Sequence, residues 1–94
     1  MVTSRCKIDV NGITAPVSRV RAKFLSWKDI NSVNIKCSNA YMRYHVAYLI
    51  EFKSNDFTVK LKTNGRVVKI IMEFSKDCDN FQRMFLERLN EAEK

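Results

Sequence analysis

Four side chains in this sequence have the chemistry of nucleophiles or metal ligands: Cys6, Cys37, Cys78 and the single histidine, His45. Cys78 stands near the start of a helical pattern, where the helix dipole lowers a thiol pKa, and His45 is the one imidazole available as its base. Asp77 and Asp79 flank it and oppose thiolate formation. A cysteine in a capping turn therefore explains the position better than a nucleophile. The four groups together have the ligand count of a zinc site, yet no two cysteines form a short Cys-x-x-Cys pair. Cys6 and Cys37 fall instead at core positions of alternating segments. Gly12 and Gly65 stand alone in turns, so there is no glycine-rich phosphate loop. We expect no catalysis, no metal and no cofactor.

The cations offer a different chemistry. Arg19, Arg21 and Lys23 alternate with Val20, Ala22 and Phe24. Alternate residues of a strand share a face, so the three would form one cationic row able to hold several phosphate oxygens. Such a surface attracts anionic lipids at roughly 1 kcal/mol per cation. A solvated strand face accounts for the same charges. Residues 1–74 hold 13 cations and 5 anions, net +8, while residues 75–94 hold 4 and 5, net −1. The basic field thus belongs to the strand-rich part. RNA-binding sheets combine cations with exposed stacking aromatics, and here only Tyr41, Tyr44 and Tyr48 are candidates. Sequence-specific nucleic-acid binding is not expected.

Apolar residues at outward positions suggest a third chemistry. If both Tyr44–Lys53 and Arg66–Phe74 are strands, Leu49, Val67 and Ile71 oppose the inward sets. With Tyr44 they would form an exposed patch for a partner protein or a second copy.

The elements that must position these residues follow from periodicity. Cys6, Ile8 and Val10 alternate with charges, and Asn11-Gly12 signals a hairpin. Ile13 to Ala15 turns back, and Arg19 to Phe24 alternates again with Val20, Ala22 and Phe24 inward. Ser26 caps a single helical turn carrying Trp27 and Ile30. Val33, Ile35 and Cys37 resume the alternation. Val46, Tyr48, Ile50 and Phe52 then mark a long strand, followed by Phe57 to Lys62. Asn64-Gly65 reads as a second hairpin, leading into Arg66–Phe74 with Val68, Ile70, Met72 and Phe74 inward. After Ser75 the period becomes 3.6, with Phe81, Phe85 and Leu89 on one face and Ser75 or Asp77 as N-cap.

Ninety-four residues make one domain, 1–94, either whole or excised from a longer protein. The apolar share of 46% is enough for a core, and no run is long enough to span a membrane. Three cysteines, an odd number, point to a reducing intracellular compartment, cytoplasm or nucleus. Six to seven antiparallel strands and one helix form an α+β domain, most simply a small barrel with the helix plugging one end.

That order resembles the pleckstrin-homology-like (PH-like) fold, in its divergent or bacterial form. The resemblance rests on Asn11-Gly12-Ile13, then Phe24-Leu25-Ser26-Trp27-Lys28-Asp29-Ile30, then Val33 and Ile35, and on Phe81, Phe85 and Leu89 of the terminal helix. It implies a non-catalytic module, since members bind phosphoinositides, peptides or other protein domains. Lipid-binding members use a Lys on the first strand and a basic-x-basic pair on the second, an order matched by Lys7 and Arg19-Val20-Arg21. The leading expectation is protein–protein interaction or scaffolding, with self-association included. The alternative is recruitment to acidic phospholipids through Lys7, Arg19, Arg21 and Lys23, with a membrane-peripheral location.

Overall fold

The computed structural model describes residues 6–16, 18–38 and 47–93. Strands β1 (Lys7–Asp9), β2 (Gly12–Pro16) and β3 (Ala22–Ser26) form one antiparallel sheet in that order. A 3-10 turn, Trp27–Asp29, leads to β4 (Ser32–Ser38), β5 (Ala47–Lys53) and β6 (Thr58–Asn64), which form a second. Helices α1 (Gly65–Phe74) and α2 (Asp79–Ala92) follow.

The β1–β2 turn is built on Asp9, whose Oδ1 accepts from the N–H groups of Asn11 and Gly12 at 2.8 and 3.1 Å. No described residue has positive φ, so this is not a primed hairpin turn. Asp at its first position and Gly at its fourth suit type I instead. Gly12 is needed for a different reason: a Cβ there would meet the Leu25 carbonyl oxygen at 2.2 Å. Glycine lets β3 close against β2. Ser26 caps the 3-10 turn as expected, its Oγ accepting from the Lys28 N–H. The Trp27 indole N–H donates to the Asp9 carbonyl at 3.1 Å, tying that turn back to β1.

In the second sheet the alternation is regular. Val33, Phe52 and Val59 lie side by side, as do Ile35, Ile50 and Leu61, and all six are buried. Phe81 and Phe85 of α2 pack on this face. Phe81 lies 4.8 Å from Trp27 and 6.1 Å from Phe52, ring centre to ring centre, and 5.5 Å from Phe85. Each such pair adds about 0.5–1.5 kcal/mol beyond its area burial. Ile13, Ala15 and Leu25 of the first sheet join the same core, as do Val68 and Ile71 of α1.

The expected barrel is not present. The described strands make two separate three-stranded antiparallel sheets, and two helices rather than one follow them, so the fold is α+β without closure. The seventh strand, Arg66–Phe74, is helix α1. Its sequence satisfies both periods: Val68, Ile70, Met72 and Phe74 alternate, while Val67, Val68, Ile71 and Met72 line one helical face. The helical reading wins because Asn64 caps it, its Oδ1 accepting from the Val67 N–H at 3.1 Å. The residue expected to turn a hairpin starts a helix. Ser75, an expected N-cap, closes α1 instead: it is buried, and its Oγ donates to the Ile71 carbonyl at 2.6 Å. Gln82 reaches back from α2 to the Met72 carbonyl, and Cys78 is the N-cap without a side-chain cap bond.

Candidate interaction surface

The basic row expected on one strand is dispersed. Ser18 to Arg21 forms the turn between β2 and β3, with the Ser18 N–H donating to the Arg21 carbonyl and the Arg21 N–H donating to Ser18 Oγ. Arg19 and Val20 occupy its tip, and Val20 is 90% exposed. Of the expected cations only Lys23 lies in β3. Register separates it from Lys7: Lys7 pairs with Thr14 and Thr14 with Phe24, whereas Lys23 pairs with Ala15. Lys7 and Lys23 therefore project from opposite faces of the sheet. Lys23 is on the core side, where its Nζ sits 4.7 Å from the centre of the Phe57 ring. Phe24, expected inside, is 49% exposed, and Leu25 takes the buried position. The reason is that Leu25 and Trp27 together bury more apolar surface than Ala22 and Phe24 would, and one residue of slip exchanges the two faces.

The expected apolar patch is dispersed as well. Ile71 is wholly buried and Val67 is half-buried on α1, while Leu49 lies on β5 and is 41% exposed. Once Arg66–Phe74 is a helix packed on the sheet, these side chains no longer share a surface. Tyr44 falls outside the described residues, as do Tyr41, His45 and Val46.

Among the described residues, the second sheet leaves one face open. Across its outward rows, Asn34 pairs with Glu51 and Glu51 with Lys60, and Lys36 pairs with Leu49 and Leu49 with Lys62. Lys53 projects from the same side by strand alternation. Neighbouring strands lie about 4.8 Å apart, so Leu49 is held between two lysines one strand away on each side. Lys36, Leu49, Lys53, Lys60 and Lys62 are all exposed. Glu51 is the only carboxylate among these paired rows, and it bonds Lys60 at 3.6 Å. The site is thus a cationic face with one leucine at its centre. Strand alternation, correct for β5 and β6, is the signal by which the sequence placed Leu49 outward. It did not reveal that this face stays uncovered by either helix.

A second feature is an apolar groove of about 220 Å³ lined by Cys6, Ile8, Leu61, Val67 and Ile70. Burial raises the Cys6 thiol above its ordinary pKa, so the group stays neutral there. Cys78 lines a cleft with Trp27, Lys28 and Arg83, with both neighbouring aspartates in it. Among the described residues no three His, Cys, Asp or Glu side chains are placed to share a metal ion. No described helix is long and apolar enough to cross a membrane.

The architecture defines a class: a small α+β domain of two three-stranded antiparallel sheets sharing one core with two helices. The chain matches no protein-family model, no curated protein and no solved structure, and nothing in these comparisons identifies a PH-like domain.

Proposed function

We propose that this protein is a non-catalytic binding module whose open face on β4–β6 docks an acidic surface of a partner protein. The observation that carries the reading is Leu49, 41% exposed at the centre of a strand and flanked by Lys36 and Lys62. An apolar centre with a polar, charged margin is the pattern of protein interfaces. The cations supply attraction and orientation, and the leucine supplies the area that loses water. The same charges work against self-association through this face, because a second copy would bring lysines against lysines. An acidic partner meets no such repulsion.

The lipid alternative loses its geometric basis with Lys7 and Lys23 on opposite faces and Arg19 at a turn tip. The test is retention of partner proteins by the immobilised domain. Leu49→Glu, and Lys36→Glu combined with Lys62→Glu, should each abolish retention of an acidic partner. Lys76→Glu, at the junction of the two helices, should not. Retention unchanged in the first two variants, with folding intact, would refute the reading.

A further inference from the structure

The groove lined by Cys6, Ile8, Leu61, Val67 and Ile70 joins the first strand, the last strand and α1. Every lining residue is apolar or a neutral thiol, and Ile70 remains 36% exposed. Its surroundings are cationic. Arg66 precedes Val67 and Lys69 precedes Ile70, and both cations are exposed. The nearest carboxylate to Ile70 on α1 is the exposed Glu73, one turn further on.

Size and charge select the occupant. About 220 Å³ is less than the roughly 300–1,000 Å³ that small-molecule sites occupy, and suits one or two apolar side chains. A second copy of this chain, with net charge +7, would oppose cations to cations. We propose that the groove takes the apolar side chains of an acidic, amphipathic peptide segment of a partner protein, with Arg66 and Lys69 receiving its carboxylates. Leu61 faces the core side of β6 and Lys60 and Lys62 the other, so the groove and the lysine face lie on opposite sides of that strand. The groove proposal therefore stands whether or not the lysine face binds.

The test is a titration of the full chain, followed by backbone amide chemical shifts, with blocked peptides of leucine and glutamate. One set has its leucines on a single face at helix or strand spacing, and the other has the same composition with leucines dispersed. The first set should shift Cys6, Ile8, Leu61, Val67 and Ile70. Ile70→Glu, or Arg66→Glu with Lys69→Glu, should weaken that binding at least roughly tenfold, the loss expected for an interface anchor. Leu49→Glu should leave it unchanged. Equal binding of the dispersed peptides would overturn the proposal. So would shifts confined to the β4–β6 lysine face, or equal loss in Leu49→Glu. Absence of shifts with either set, or groove shifts caused only by anionic lipid vesicles, would overturn it too.

Discussion

In the second sheet each strand is seven residues long, and one face carries the aromatic core while the other carries lysines. In the first sheet the strands are three to five residues long, and a charged residue, Lys23, stands on the core side at its edge. The long sheet is held by burial: Phe52 lies flat against Phe85 and tilted against Phe81. The short one depends more on close backbone approach at Gly12 and on the Trp27 indole bonded to Asp9. A sheet stabilised on one face by packing can leave its other face free for binding. In the short sheet an inward edge lysine guards the open strand against unwanted pairing.

The largest effect that would sharpen this contrast is in the aromatic core. Phe81→Ala should cost about 3–5 kcal/mol in urea unfolding, a large part of the roughly 5–15 kcal/mol by which domains are stable. Phe24→Ala, on the exposed face of the short sheet, should cost about 1 kcal/mol or less. Comparable losses at the two positions would break the comparison.

Glycine substitutions come next and should differ in sign. Gly12→Ala forces a Cβ against backbone 2.2 Å away and should destabilise by more than about 2 kcal/mol. Gly65→Ala meets nothing closer than the Tyr48 ring at 4.0 Å. It opens α1 without positive φ, so it should raise stability by about 0.5 kcal/mol. Thermal melts of the two variants decide this. Asn64→Ala, which removes the cap of α1, should cost about 1 kcal/mol.

A pH-dependent effect concerns the far end of the long sheet. The Tyr48 hydroxyl donates to the Glu93 carboxylate at 2.5 Å. That hydrogen bond, with burial and the nearby negative charge, pushes the Tyr48 pKa up from 10 to about 12. A folded-state pKa raised above the unfolded value favours the protonated form. Its contribution is thus full below pH 10 and fades as pH rises toward 12. Stability should fall more steeply over that interval in the wild type than in Tyr48→Phe, as read by denaturation at matched pH values.

Legibility in the sequence follows the same division. The inward sets of β4, β5 and β6, the Ser26-capped turn and the helix carrying Phe81 and Phe85 could all be read, because each shows a single period over several residues. Helix α1 could not. Val67, Val68, Ile70 and Ile71 are β-branched and fit alternation as well as a helical stripe, and the deciding Asn64 also suits a turn. The slip in β3 was hidden because Val20, Ala22 and Phe24 alternate as cleanly as the residues that are buried. Misassigning these two elements produced the closed barrel, the basic row and the apolar patch together. The lysine face, by contrast, needed only the correct alternation of β4 to β6 and the knowledge that neither described helix lies over it.

The most direct test of that face is an amide chemical-shift titration of the full chain with polyglutamate, which carries the partner's charge without apolar anchors. The largest shifts should fall on Lys36, Leu49, Lys60 and Lys62 and shrink as salt is added, as exposed charge pairing requires. Largest shifts at Arg19, Arg21 and Lys23, or no shifts at low salt, would contradict it.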